Sequence, residues 1–226
     1  MKIAKFIAII FFLTTIIGLF VSAMASTPKT IELTKRNHVA LVGEVDANSV
    51  EEVMNSLMAR DRTKPFYLYI DSPGGSVFAG KRLIDYLIAN GEGVTCIASN
   101  AMSMAFVTLQ VCETRLVTKA SVLMSHGVQT QSQGDLRRIK KDIEISEGLE
   151  KILTTISAER IGISFEELMK RHNPEWWIFG AKEALKTNTA DGEAKVFCGS
   201  DLRGKVKKKV MTIFGPIEIE VRTCPL

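Results

Sequence analysis

The sequence predicts an α/β fold with a mainly parallel sheet assembled from βαβ units. Short apolar segments typical of buried strands alternate, through the first half of the chain, with segments whose apolar residues recur at helical spacing. This alternation implies parallel strands joined by right-handed helical crossovers. Two further patterns complete the predicted architecture: a long, charged helix in the second half of the chain and a β-hairpin near its end.

The predicted strands are short and rich in Val, Ile and Leu, and they span residues 31–45 (apolar part 39–45), 66–70, 94–98, 115–117 and 122–124. The helices predicted between them span residues 48–60, 77–89 and 103–111. In the second of these helices, Leu83, Ile84 and Leu87 share one face. Asn90 and Gly91 follow it, and a glycine at that point favours a helix end.

Polar residues that can cap a helix mark two of the predicted helix starts. Asn48 or Ser49 is the expected N-cap of the first helix. Ser164, with Glu167 three residues further on, is typical of a capping box and predicts a helix over residues 164–171.

Residues 135–160 predict a long helix that is charged on most of its surface and carries an apolar stripe. Such a helix is either a solvated amphipathic helix or an arm that packs on a neighbouring subunit. The hairpin is predicted over residues 210–221, around Gly215 and Pro216. The basic residues of the segment 203–209 are expected to form a solvated face.

The bulk properties indicate a globular protein and argue against some functions. Among the 226 residues, 24% are charged and 46% are hydrophobic, and the net charge of +4 is dispersed. The sequence has neither a basic stripe interleaved with aromatic residues nor cysteines and histidines at zinc spacing. We therefore expect no nucleic-acid partner, no metal and no cofactor.

The first 25 residues have the three-part plan of a secretory signal peptide. Lys2 and Lys5 precede an apolar run over residues 6–21, and Ala23 and Ala25 supply a small-x-small cleavage site. Cleavage after Ala25 would place the protein in the periplasm or outside the cell. The alternative is an uncleaved segment that anchors the protein to the membrane, although the apolar run is short for a span.

Four cysteines gain significance from the predicted export, because disulfides persist in oxidising compartments. Cys198 and Cys224 bracket the C-terminal hairpin, so we predict a disulfide between them. Cys96 and Cys112 lie in apolar runs and are expected to be buried thiols.

Three short motifs could carry chemistry. Gly74 and Gly75 end a strand in a turn that can present backbone N–H groups, Ser103 begins an apolar helix, and His126 follows an apolar strand. Each lies at the carboxyl end of a predicted parallel strand, the edge at which open α/β sheets bind ligands. A serine, a histidine and paired N–H donors are the parts of acyl-transfer catalysis. The alternatives are a plain turn, a serine whose hydroxyl caps its helix, and a structural histidine.

These motifs, read in order, resemble the proteolytic subunit of Clp protease. The matching segments are YLYIDSPGGSVFAG, NAMSMAF, VLMSHG and GAKEALKTNTAD, within residues 39–191. The resemblance implies a Clp protease/crotonase-like fold over residues 26–200, with 201–226 as a hairpin tail. It also implies that Ser103 is the nucleophile and His126 the general base.

The same resemblance assigns the remaining parts of the site and the assembly. Gly75 and Met104 match the backbone donors of the oxyanion hole, and residues 127–134 match one side of the groove that binds substrate as an added strand. The long helix matches the arm by which the family's subunits interlock into rings, so a homo-oligomer is expected. The implied function is a serine endopeptidase acting on peptides or unfolded proteins, independent of ATP if it is exported.

The third member of the catalytic triad is less clear. An alignment of GAKEA without gaps puts Trp176 where the family has an aspartate, and an indole cannot orient the histidine. We therefore predict Glu175, one residue earlier, as the third member. Asn173 is the next choice, and a Ser–His dyad is the alternative.

Two other functions compete with this interpretation. A protease resembling the signal peptide peptidases would use a Ser–Lys dyad, but Lys140 and Lys141 lie on the charged helix and His126 occupies the position of a triad base. A catalytically inactive, ring-forming scaffold is the second alternative, and the presence of both Ser103 and His126 argues against it.

Overall fold

The computed structural model describes residues 27–212 and 215–226, and within these ranges it contains one seven-stranded sheet and a separate two-stranded ribbon. The strands of the large sheet are β1 (Lys29–Leu33), β2 (His38–Val45), β3 (Phe66–Gly75), β4 (Val94–Met102), β5 (Thr114–His126), β6 (Glu175–Phe179) and β7 (Gly192–Cys198). Their order is β1-β7-β5-β4-β3-β2, and β6 also pairs with β5. All pairings are parallel except β5 with β6, so the predicted α/β fold with a mainly parallel sheet is confirmed.

Six α-helices are found in the same described ranges: α1 (Ala47–Ala59), α2 (Val77–Asn90), α3 (Met104–Gln110), α4 (Leu136–Ile161), α5 (Phe165–Arg171) and α6 (Gly180–Lys186). α3 lies against β3 and β4, whereas α6 lies against β5. Alternate strand residues serve opposite faces of the sheet: Leu68 joins the large core under the helices, and its neighbour Tyr69 joins a smaller cluster with β1 and β7. None of the described helices is long and apolar enough to cross a bilayer.

The helix ends follow their capping residues. The N-cap of α1 is Asp46, in a capping box with Ser49, so the expectation of Asn48 or Ser49 as the cap is wrong by two or three positions. The Asp46 carboxylate accepts a hydrogen bond from the Ser49 N–H, and the Ser49 hydroxyl accepts one from the Asp46 N–H. Ser164 caps α5 as predicted, by accepting from the N–H of Glu167.

The helix α4 is packed only along its C-terminal half. Its buried residues begin at Leu153 and end at Ile161, where Gly162 in the left-handed conformation terminates the helix. The N-terminal half leaves apolar side chains in solvent, among them Leu136 at 76% exposure and Ile143. A single copy of the chain therefore leaves apolar surface on the N-terminal half of α4 exposed.

Several elements differ from the sequence-based prediction. Residues 115–117 and 122–124, predicted as two strands, are parts of the single long strand β5, which meets β7 near Leu116 and β6 beyond Val122. The strand β6, the strand β7 and the helix α6 were not predicted. β6 and β7 carry charged and aromatic residues that give no clear period-2 pattern, and their pairing partners are what make them strands.

The C-terminal ribbon consists of β8 (Lys205–Thr212) and β9 (Gly215–Arg222), so the predicted hairpin begins five residues earlier than expected. A disulfide between Cys198 and Cys224 fixes its base to the end of β7, with the two Cα atoms 5.9 Å apart, and this predicted pairing is confirmed. The predicted signal peptide, residues 1–25, lies outside the described residues.

The expectation that Cys96 and Cys112 are buried thiols is wrong, because they form a second disulfide. Both are buried, and their Cα atoms lie 5.9 Å apart. The bond joins β4 to the second residue after the end of α3, so it closes a loop that contains Ser103. A crossover brings the two cysteines together, and local patterning does not reveal such a contact.

A buried arginine ties β5 to the start of β7. Arg115 is 1% exposed, donates to Gln110 at the end of α3 and forms a bidentate ion pair with Asp191. Arg160 of α4 donates to the same carboxylate at 3.0 Å. Burial raises the pKa of Asp191, but hydrogen bonds and the positive charges of the two arginines outweigh it and hold the pKa below its ordinary value.

Replacing Asp191 by Asn should destabilise the fold, because it leaves the Arg115 guanidinium buried without its counter-charge. We expect a loss of roughly 2 to 4 kcal/mol in the free energy of unfolding, measured by urea denaturation at matched protein concentration. The control is Asp85→Asn, which breaks an exposed ion pair with Lys81 and should cost under about 0.5 kcal/mol. Equal effects of the two substitutions would contradict the structural role of Asp191.

Candidate active site

The three motifs singled out in the sequence meet at one edge of the sheet. β3 ends at Gly75, β4 ends one residue before Ser103, and β5 ends at His126, and these three parallel strands are neighbours. Gly75, Ser103, Met104 and His126 line the same cavity, which has a volume of about 350 Å³. The structure therefore brings together every residue predicted for the nucleophile, the base and the oxyanion hole.

Ser103 lies in a backbone conformation that L residues seldom adopt, with φ 54° and ψ −123°. Its N–H donates to the carbonyl of Met124 at 2.9 Å, and its own carbonyl accepts from Val107 at 3.2 Å, so neighbouring elements hold the conformation. The hydroxyl makes no capping hydrogen bond to α3. The interpretation of Ser103 as a capping serine is thus excluded, and the side chain stands at the sharp turn between β4 and α3.

The glycine pair is required by two separate close approaches. A Cβ at Gly74, where φ is +94°, would lie 2.6 Å from the Cβ of Ser103 and 2.7 Å from the carbonyl oxygen of Met102. A Cβ at Gly75, where φ is +148°, would lie 2.5 Å from the carbonyl oxygen of Val45 on β2. Gly74 therefore lets β3 contact the serine turn, and Gly75 lets the strand end lie against β2.

The walls of the cavity combine apolar and polar groups. Val77, Val107 and Val128 contribute apolar surface, while Thr154 and Ser157 extend from the packed half of α4. Residues 127–129, which begin the segment predicted to flank the groove, also line the cavity. No group of three or more His, Cys, Asp or Glu side chains placed to hold a metal ion occurs in the part of the chain that the structure describes.

The predicted third member, Glu175, lies next to His126 but does not contact the cavity. The two residues are register partners of the antiparallel pair β5–β6, so their side chains project from the same face of the sheet. The Glu175 carboxylate is exposed and accepts a hydrogen bond from the indole N–H of Trp177 at 2.9 Å. Asn173 is also exposed, and the role predicted for Glu175 stays a prediction.

His172 is the site residue that the sequence analysis missed. It follows α5, is 9% exposed and lines the cavity together with His126. Its Nε2 is 2.8 Å from the hydroxyl of Ser125, the residue before His126. Burial, assisted by the nearby positive charge of His126, lowers the pKa of His172 from 6.5 to about 4. The sequence signal for His172 is its position in RHNPEWW, the segment that also contains Asn173 and Glu175.

The two lysines considered for a Ser–Lys dyad lie on α4, outside the cavity that contains Ser103. Lys140 and Lys141 are exposed on the N-terminal half of α4, and Lys141 forms an ion pair with Glu144 at 3.2 Å. Neither lysine lines the cavity that contains Ser103. The geometry consequently favours histidine as the base.

Comparisons with known proteins identify the family that the chain resembles. The family model for Clp protease matches residues 23–192. The chain is 34% identical over 143 residues to the ATP-dependent Clp protease proteolytic subunit 2 of Prochlorococcus marinus (strain MIT 9313), covering 60% of this chain and 70% of the relative. It is 32% identical over 152 residues to subunit 3 of Synechococcus sp. (strain CC9605), covering 64% and 74%, and 27% identical over 158 residues to subunit 2 of Treponema pallidum, covering 66% and 77%.

Substituting Gly74 by Ala should displace the serine turn, because the new methyl group meets the Ser103 side chain and fixed backbone. We expect a stability loss of roughly 2 to 4 kcal/mol and a fall in the rate of Ser103 acylation of about 10²-fold or more. Gly93→Ala is the matched control, since Gly93 has φ +74° but no atom within 4 Å of a built Cβ. It should cost only about 1 to 2 kcal/mol and leave acylation unchanged; equal acylation rates in both variants would refute the close-approach argument.

The lowered pKa of His172 should make the fold less stable in mild acid. The unfolded chain binds this proton at the ordinary pKa of 6.5 and the folded protein only near 4, so stability is lost as the pH falls through that window. We expect His172 to account for roughly 2 to 3 kcal/mol of this loss, as measured by urea denaturation at several pH values.

His172→Gln should flatten the pH dependence by that amount. Burial also lowers the pKa of His38, so His38→Gln is the matched control, and it should retain the part of the slope that belongs to His172. An unchanged slope in His172→Gln would contradict the assignment.

Proposed function

The chain belongs to the Clp protease family, and on that premise we propose that it is a serine endopeptidase that hydrolyses peptides or unfolded proteins. Membership of the family implies a peptidase, that is, a hydrolase. The finer proposal, a serine-type mechanism centred on Ser103 and His126, is supported by one observation above all. The hydroxyl of Ser103 makes no capping bond, stands at a sharp turn and shares a cavity with His126.

The proposed mechanism uses groups of this chain alone. The Ser103 oxygen attacks the carbonyl carbon of the scissile peptide, and the Nε2 of His126 takes the hydroxyl proton. The negative charge that develops on the carbonyl oxygen is stabilised by the N–H groups of Gly75 and Met104. His126 then passes its proton to the leaving amine, the C–N bond breaks, and water hydrolyses the acyl-enzyme by the same steps in reverse order.

The shape of the site supports a peptide as the substrate class. Residues at the end of β3 and residues 127–129 both line the cavity, so a substrate chain could lie between these two backbone segments. The valine side chains and Leu153 offer apolar contacts to one substrate side chain, while the catalytic groups lie at the cavity's polar part.

We propose that the active form is a homo-oligomer. The family membership supports this, and so does the exposed apolar surface on the N-terminal half of α4, including Leu136, Ile143 and Ile145. An interlocking arm would bury this surface against a second copy of the chain, as expected from the resemblance.

We propose further that the protein acts in an oxidising compartment without ATP. The support is the signal-peptide pattern of residues 1–25 together with the two disulfides, Cys96–Cys112 and Cys198–Cys224. A periplasmic or secreted protein has no ATP supply for an unfoldase, so its substrates would be peptides and chains that are already unfolded. We also propose the domain limits predicted from the sequence: a signal peptide over residues 1–25, a peptidase domain over 26–200 and a hairpin tail over 201–226. If the N-terminal segment is retained, it would tether the protein to the membrane.

A fluorophosphonate probe tests the nucleophile directly. We expect covalent labelling of the wild-type protein and none of Ser103→Ala, with His126→Gln labelled about 10³-fold or more slowly because the hydroxyl then lacks its base. Casein and a peptide library, digested by wild type and Ser103→Ala side by side and analysed by mass spectrometry, should show cleavage by the wild type only. Unlabelled wild-type protein of correct oligomeric size would favour an inactive scaffold instead.

A further inference from the structure

The general base of the proposed mechanism needs a partner, and the predicted one, Glu175, is hydrogen-bonded to Trp177 in the structure. A neutral histidine accepts the serine proton on Nε2 only if its own proton is on Nδ1, and a hydrogen-bond acceptor near Nδ1 fixes that tautomer. Trp176 occupies the position where the family has an aspartate, and it lies beneath the guanidinium of Arg171. Glu175 is exposed and bonded to Trp177. The structure offers another candidate, because His172 lines the same cavity as His126 and has a buried nitrogen without a partner among the described residues.

We infer that His172 positions His126, with the Nδ1 of His172 accepting the hydrogen bond that His126 donates from its Nδ1–H. The inference rests on the proposed function, in which His126 is the general base. In this arrangement a neutral imidazole stands where a serine–histidine–aspartate triad has a carboxylate. His172 touches no reacting atom and is thus a positioning residue.

The two ring nitrogens of His172 have different surroundings. Nε2 is occupied, since it lies 2.8 Å from the Ser125 hydroxyl. Nδ1 is buried and has no hydrogen-bond partner among the described residues. A buried polar atom without a partner costs about 1 to 3 kcal/mol, so this nitrogen at the wall of the cavity favours a hydrogen bond from a neighbouring donor. Hydrogen bonds to a catalytic base often shorten only in the complex with substrate.

Burial keeps His172 in the protonation state that this role requires. A pKa near 4 leaves the ring neutral at ordinary pH, so one nitrogen retains its lone pair. If Nε2–H donates to the Ser125 hydroxyl, that lone pair is on Nδ1. Both rings line the same cavity, and His172 contacts Ser125, which precedes His126 in the chain.

Three other ionisable side chains lie near His126 and His172. Glu175 faces His126 from β6, and Glu150 of α4 lies beside Gly127, where its carboxylate would collide with an added Cβ. Arg171, next to His172 in the chain, is bonded to Glu167 and stacks on Trp176. Glu150 and Glu175 therefore have to be tested as rival partners of His126.

Two substitutions separate the functions of the two nitrogens. Asn places an amide group where Nδ1 lies, whereas Gln places one where Nε2 lies. We expect His172→Asn to keep kcat/KM on a short fluorogenic peptide within about tenfold of wild type, because an acceptor remains beside His126. His172→Gln should lose about 10²-fold, which is less than the roughly 10⁴-fold loss when a triad carboxylate is neutralised.

The pH profile supplies a readout that a merely structural role would not move. His172→Asp puts a carboxylate where Nδ1 lies and should shift the acidic limb of kcat/KM upward by about one pH unit or more, because a negative charge raises the pKa of the base. His38→Gln, a change at a histidine outside the site, should match wild type in rate and profile. Circular dichroism and oligomer size verify the fold of each variant.

Rival partners make distinct predictions. If His172 acts only through its hydrogen bond to Ser125, His172→Gln will retain activity and His172→Asn will lose it. If Glu175 or Glu150 is the partner, Glu175→Gln or Glu150→Gln will lose activity while His172→Gln will not. If Ser157, whose buried hydroxyl is also unpartnered among the described residues, pairs with His172, then Ser157→Ala will behave as His172→Gln. Each of these results overturns the inference.

A measurement on the wild-type protein needs no variant at position 172. Selective ¹⁵N-histidine labelling, assigned with His38→Gln and His126→Gln, reports which nitrogen of each ring carries the proton. We expect Nδ1–H on His126 and Nε2–H on His172, and Nδ1–H on His172 would overturn the inference because that atom could not accept. Full fluorophosphonate labelling of Ser103→Ala would refute the proposed function itself, whereas wild-type rates and pH profiles in all the His172 variants would refute only the role of His172.

Discussion

The contact between Gly74 and Ser103 is the constraint on which the site depends. Ser103 adopts a positive φ, and this strained turn persists because β3 lies directly against it, with no room for a side chain at Gly74. The contact between β3 and the serine turn also brings Gly75 and the start of α3 to the cavity that Ser103 lines. One packing contact therefore positions both the proposed nucleophile and the proposed backbone donors. A glycine pair that costs backbone entropy is thus explained by what the backbone must contact.

The rest of the fold holds that contact in place. The disulfide Cys96–Cys112 closes a loop that contains β4, the serine turn and α3, and Arg115 bonds the end of α3 through Gln110. The Met124 carbonyl accepts from the N–H of Ser103, which ties the turn to the strand that carries His126. Covalent, ionic and hydrogen-bond links therefore converge on a short stretch of chain, as a site that needs fixed geometry requires.

The surroundings of His126, the proposed base, differ from those that the resemblance implies. Trp176 stands where the resemblance leads us to expect an acid, its ring packs under Arg171, and His172 is buried beside Ser125 in the cavity that His126 also lines. A neutral imidazole stabilises an imidazolium less than a carboxylate does, because it offers a dipole and no charge. In the proposed arrangement the protonated base receives less electrostatic stabilisation than a carboxylate would give it, and its partner stays neutral inside the protein.

The sequence by itself determined the fold class, the nucleophile and base candidates, the long helix and the Cys198–Cys224 bond. These follow from period-2 and period-3.6 patterns, from glycines and from residues that bracket one hairpin, all of which are local. Only the tertiary structure decided the Cys96–Cys112 bond, the strands β6 and β7, and the burial of His172 next to Ser125. Each of these joins segments that are distant in the chain, and the partners are specified by the packing of the sheet and its crossovers, since neither segment alone carries a signal for the other.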